Sequence, residues 1–164
     1  MGGLAMTEKV FCRRGDSPKK PYNYKGCGLD NIYLLSGFDI IKDEDGNSVI
    51  IHNMDSLHRA IAKQLVMEQK VLSGKEIRFL RTYLDLSQSD LGKLLGCDSQ
   101  SVARYEKEQC DIPSPTERLL RMMVLGHMMG KIDVREVVQR IETMEGKDSA
   151  KLKFASTSKG WKVA

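Results

Sequence analysis

The chain has 164 residues, 41% of them hydrophobic and 29% charged, with 26 Lys and Arg against 22 Asp and Glu for a formal net charge of +4. No apolar run approaches the roughly 18 residues of a membrane span, the N-terminus lacks the apolar core of a signal peptide, and the four scattered cysteines Cys12, Cys27, Cys97 and Cys110 are not a disulfide framework. The expectation is a soluble, cytoplasmic, two-module protein with reduced thiols, whose mild positive charge permits nucleic acid without requiring it.

Met1 to Met6 reads as a leader or cloning remnant without structure of its own. Glu8 to Lys25, with Arg13, Arg14, Lys19, Lys20, Pro18 and Pro21, reads as a basic irregular arm, solvated rather than laid along a DNA backbone. Asn31 to Leu35, Phe38 to Ile41 and Ser48 to His52 are β-favouring, and the Asp45-Gly46 pair between the last two is a hairpin signal. They predict a small antiparallel sheet of two or three strands, which needs cover to be stable. A helix capped by Asp55 or Ser56, with Leu57, Ile61 and Leu65 on one face, is expected to supply it.

Ser73-Gly-Lys-Glu76 is a capping box, and Ile77, Leu80 and Leu84 follow at helical spacing. Ser87 then caps a short helix with Asp90 in its first turn and Leu91, Leu94 and Leu95 facing a core, and Gly96 ends it. Asp98 or Ser99 caps the next helix, which turns Val102 and Tyr105 inward. Its other face carries Ser99, Gln100, Ser101, Arg104 and Lys107, all hydrogen-bond donors suited to base edges and phosphates. Beyond the break at Ile112-Pro-Ser-Pro, Thr116 and Glu117 open a helix through Leu119, Leu120, Met123, Val124 and Met128 to Gly130. Another helix from Asp133 aligns Val134, Val137, Val138 and Ile141 and ends near Gly146. The methionines read as core filler or a dimer seam. Lys151 to Val163 alternates in polarity as a strand does. With Phe154 and Trp161 in need of burial, it is expected to pair with the N-terminal sheet or with a partner chain.

The stretch LSQSDLGKLLGCDSQSVARYEKE, Leu86 to Glu108, resembles the Cro/phage-repressor (XRE) family of helix-turn-helix proteins in its L-S-Q opening, its Leu pair, its turn Gly and its R-Y-E-K ending. That resemblance implies a five-helix lambda-repressor-like domain, a phosphate contact from Gln88 with Ser87 beside it, and base reading by Ser99, Gln100 and Arg104. It also implies a structural role for Glu106, which faces inward in relatives and by register pairs with Arg81. The order of sheet, helix and then this motif is similar to the MqsA/YgiT class of antitoxins, two-domain proteins that dimerise through the C-terminal domain and repress their own operon. Gln100 and Arg104 match the amide residue and Arg with which that class reads bases. The implied partners are double-stranded DNA carrying a palindromic operator, a second copy of the chain, and a toxin protein held by the N-terminal module. A helix-turn-helix used for protein contacts, and a plain regulator whose N-terminal domain senses an effector, stay open beside this.

The antitoxin class often has a zinc site of paired C-x-x-C motifs, and this sequence has none. Cys12, Cys27, His52 and His58 are the ligand set one would propose, at irregular spacings, so neither a metal nor a cofactor is expected. His52, His58 and His127 fall in unrelated contexts without H-E-x-x-H, G-x-S-x-G or a P-loop, and His127 among methionines reads as packed or interfacial. The chain is not expected to be an enzyme. The whole reads as α+β: a small N-terminal antiparallel sheet with a covering helix over residues 1–71, an all-α helix-turn-helix domain over 72–146, and a basic strand-like tail over 147–164.

Overall fold

The computed structural model describes residues 9–12, 20–43, 46–129, 143 and 151–164. Among them the chain is mixed α+β, with small sheets and five helices. β1 (Lys9–Cys12), β4 (Phe38–Asp43) and β5 (Gly46–Ile51) form an antiparallel sheet in the order β1-β4-β5. β2 (Tyr22–Asn23), β3 (Ile32–Leu34), β6 (Leu152–Thr157) and β7 (Gly160–Val163) form a second sheet in the order β2-β3-β6-β7.

Three expectations are corrected here. The single antiparallel sheet is two sheets, and β3 pairs with β6 in parallel, Tyr33 opposite Lys153, because the tail enters alongside β3. The basic arm is not irregular throughout: Lys9–Cys12 lies antiparallel against β4, and Tyr22–Asn23 against β3. Lys-Val-Phe-Cys is a short β-favouring run, and an edge strand needs only one neighbour to form. The tail itself is a hairpin, β6 with β7, built into the second sheet. Its burial is what drives this: Phe154 packs with Ile32 and Leu34 in the fully buried core, and the Trp161 indole donates to the His52 carbonyl at 2.9 Å. Trp161 N–H donates to Ser56 Oγ, and Ser156 N–H to the buried Ser36 Oγ at 2.8 Å, so the polar groups that enter with the tail are satisfied.

The helix after β5, α1 (Met54–Glu68), is capped by neither Asp55 nor Ser56. Asn53, at a positive φ of 51°, takes that position, and its Oδ1 accepts from Ser56 N–H at 3.2 Å. Asp55 and Ser56 lie inside the first turn, where the acid suits the dipole and the hydroxyl is free to meet Trp161. The chain divides into two units, one of residues 1–25, 30–57 and 151–164 and the other of residues 26–29 and 58–150. Only the first turn of α1 goes with the sheets. The rest belongs with α2 (Gly74–Tyr83), α3 (Gln88–Leu95), α4 (Ser99–Glu106) and α5 (Ser114–Met129).

Two arginines explain that allegiance. Arg121 of α5, fully buried, pairs with Glu117 one turn earlier and donates to the carbonyls of Leu65, Val66 and Lys70, at the C-terminal end of α1. Arg59 of α1 donates to the carbonyl of Met128 in the last turn of α5, at 2.8 Å. Each arginine thus donates to carbonyls at the C-terminal end of the other helix, where helix ends leave acceptors over, and the Leu65 carbonyl accepts from Gln69 N–H as well as from Arg121. Burying Arg121 also rotates α5: its inward stripe is Leu120, Arg121, Val124, Leu125 and Met128, while Leu119, expected inside, is 37% exposed. The helix begins at Ser114 rather than at Thr116, with Pro115 tolerated in its first turn. The helix expected from Asp133, and the segment Met1 to Met6, lie outside the described residues. No helix among the described residues is long and apolar enough to cross a membrane.

Candidate nucleic-acid interface

α3 and α4 are each set by a cap whose side chain accepts from the backbone N–H three residues on. At the start of α3, Ser87 Oγ accepts from Asp90 N–H at 3.0 Å and donates to the Asp90 carboxylate at 2.6 Å. The hydroxyl holds Asp90 below the usual carboxylate range. At the start of α4, the Asp98 carboxylate accepts from Ser101 N–H at 2.6 Å, and that backbone bond depresses its pKa as well. The turn between them needs two glycines. Gly96 ends α3 at φ 73°, a left-handed conformation that costs other residues steric strain. Gly92 is buried where the chain folds back: a Cβ there would stand 2.7 Å from the Cys97 carbonyl oxygen. Signal for it existed in the sequence only as a glycine inside a helical pattern.

Glu106, with a side chain 5% exposed, joins three helices. Arg81 of α2 donates to it through Nε and again through Nη2 at 3.2 Å, and also reaches the Leu86 carbonyl between α2 and α3 at 2.8 Å. Gln88, the first residue of α3, donates its Nε2 to the same carboxylate at 2.9 Å. The structure therefore places Gln88 half-buried with one amide hydrogen committed to Glu106, which leaves its second hydrogen for any outside acceptor. Because Gln88 and Arg81 share one acceptor, the angle between α3 and α4 is fixed through hydrogen bonds to a charged group, the stronger kind. A further bond ties α2 to this assembly, from Gly74 N–H to the Glu108 carboxylate at 3.0 Å.

On α4, Val102 is fully buried, whereas Ser99, Gln100, Arg104 and Lys107 are exposed and Ser101 is half-exposed. Gln100 and Arg104 stand four residues apart and so share one side of the helix. The N-terminal end of α4 is already occupied by its own carboxylate, Asp98, so an incoming anion meets no bare helix terminus there. The groups left to address a ligand are the side chains of Gln100, Arg104 and Lys107 with the hydroxyl of Ser99. Ser87 is exposed at the start of α3. One expectation in this stretch is overturned: Leu94 points outward, 54% exposed, and Leu91 alone of the α3 leucines is fully buried. A helix of eight residues with Gly92 against the turn has a narrow inner stripe, and Leu94 falls outside it.

Of the residues weighed as metal ligands, both histidines hold other contacts, and the side chain of Cys12 lies outside the described residues. His52 Nε2 lies 2.8 Å from Asp39 Oδ2, and the His58 ring meets the edge of Phe79 at 5.8 Å. No group of three or more His, Cys, Asp or Glu that could hold a metal ion occurs among the described residues. His127 is exposed, with its ring against Tyr83 at 5.6 Å. Compared with protein-family models, with curated proteins and with solved structures, the chain matches nothing.

Proposed function

We propose that this chain is a sequence-specific DNA-binding regulator in which α3, the turn at Gly96 and α4 act as a helix-turn-helix of the XRE type, with α4 as the recognition helix. One observation carries the reading: Gln100 and Arg104 share the exposed side of a short helix whose opposite side is anchored by Val102 and whose far end is clamped by Glu106 to Arg81. Gln is suited to bidentate contact with adenine and Arg with guanine, each good pair giving about 1–3 kcal/mol of discrimination. Lys107 and Ser99 flank them for phosphates, and Gln88 and Ser87 approach the backbone from the start of α3. Acting as a homodimer, the protein would read two half-sites about 34 Å apart on a palindromic operator.

Selection of bound sequences from a random duplex pool tests this directly. The expected product is a two-fold symmetric site at which Arg104→Ala relaxes preference at one position per half-site and costs about 1–3 kcal/mol. Full sequence preference in both Arg104→Ala and Gln100→Ala would overturn the assignment. The narrower reading, an antitoxin that represses its own operon, is supported by the sequence resemblance over about Ser73 to Ile141 and by a separate sheet unit that operator binding does not require. Co-purification of a small toxin-like protein with the chain, lost when the sheet unit is disrupted, is its expected outcome.

A further inference from the structure

The second sheet has a packed face and an open face, and the open one is basic. Alternation along the strands puts Ile32, Leu34 and Phe154 inside. Tyr33 and Lys153, which are register partners, then share the outer face with Ala155 and its partner Lys162. Lys151 reaches the same face, its Nζ 5.0 Å from the centroid of the Tyr33 ring. Lys159, exposed in the β6–β7 turn, stands at the edge. Residues 151–164 hold these four lysines and no Asp or Glu, and among the described residues none of the four is in an ion pair. Like charges on neighbouring strands repel, so this face is one that a polyanion stabilises.

We propose that the outer face of the β2-β3-β6-β7 sheet binds the phosphate backbone of duplex DNA without regard to sequence, as a site separate from α4. Ammonium groups are compact point charges fitted to phosphates. Apart from Tyr33 the face carries no large apolar side chain to enter a lipid interface, and no Arg or Trp of the kind that anchors a protein partner. Tyr33 already has Lys151 over its ring, so it offers no open platform on which the bases of a single strand could stack.

The test measures binding of the full chain to a labelled random-sequence duplex across a salt series, for the wild type and for the triple variant Lys153→Gln, Lys159→Gln, Lys162→Gln. The triple variant is expected to bind more weakly, with the slope of log affinity against log salt reduced by about 0.9 for each lysine removed. The matching Lys→Arg triple variant should keep the wild-type slope, which separates loss of charge from loss of fold. On the selected operator, the Gln triple variant should keep its preference over random DNA, whereas Gln100→Ala with Arg104→Ala should lose that preference. The two readings therefore fail separately. An unchanged slope in the Gln triple variant overturns the proposal, as does binding of phosphatidylserine vesicles or polyglutamate in place of duplex.

Discussion

The two units of this protein differ in how much of their fastening is local. In the helical unit each cap joins residues three apart, Ser73 with Glu76, Ser87 with Asp90 and Asp98 with Ser101, and the charged side chains of Glu106, Arg59 and Arg121 then lock the finished helices together. In the sheet unit the fastening bonds span most of the chain: Ser156 bonds to Ser36 across 120 positions and Trp161 to His52 across 109. Local bonds cost little chain entropy and form with the helix they cap, while closing a long loop must be offset by burial. The sheet unit therefore depends on a few large apolar side chains brought together from distant positions, whereas the helical unit adds local polar caps to an apolar core of its own.

Trp161→Ala should break that contrast open most forcefully. Removing a buried indole and its bond to the His52 carbonyl is expected to cost about 3–5 kcal/mol. Hydrogen exchange should then show lost protection in β3 and β6 with α3 and α4 still protected, and equal loss in both units would contradict the contrast. Glu106→Ala comes next, at about 3 kcal/mol by denaturant unfolding, because it strips Arg81 of its ionic partner and leaves Gln88 unpaired. Glu106→Gln should recover part of that loss by keeping an acceptor. Ser87→Ala removes one cap and should cost about 1 kcal/mol in the same measurement.

Acidification gives the smallest and most selective effect. The depressed pKa values of Asp90 and Asp98 contribute stability that is present above the ordinary Asp range and lost as the pH falls through their lowered values. Glu76, pushed up by burial, has the opposite sign: its protonation on acidification favours the folded form. Asp98→Asn keeps a cap acceptor without the charge. Its acid unfolding curve should be flatter than that of the wild type, and an unchanged curve would mean that Asp98 contributes nothing to acid sensitivity.

What could be read from the chain follows the same division. The capping box at Ser73, the caps at Ser87 and Asp98 and the end of α3 at Gly96 are each written within four residues, where one residue type answers one backbone need. The outward face of α4 was equally legible, since Val102 fixes which side is buried. Arg121 was not, because a charged residue in an apolar stripe gives no sign of which carbonyls will receive it. Leu94 and Gly92 misled or hid for the same reason: the side that α3 buries depends on how closely the following turn packs against it. For the tail, the need of Phe154 and Trp161 for cover was evident, but nothing local specified a parallel partner in β3.

That parallel pairing bears on how the protein is made. Ile32 leaves the ribosome well before its partner Leu152, and every helix from α1 to α5 is synthesised in the interval. Throughout that time β3 presents a bare Ile-Tyr-Leu edge, the type of strand that invites pairing with another nascent chain. Translation halted short of Phe154 would yield a product whose helices can fold and whose sheet is adhesive, a natural target for chaperones and proteases.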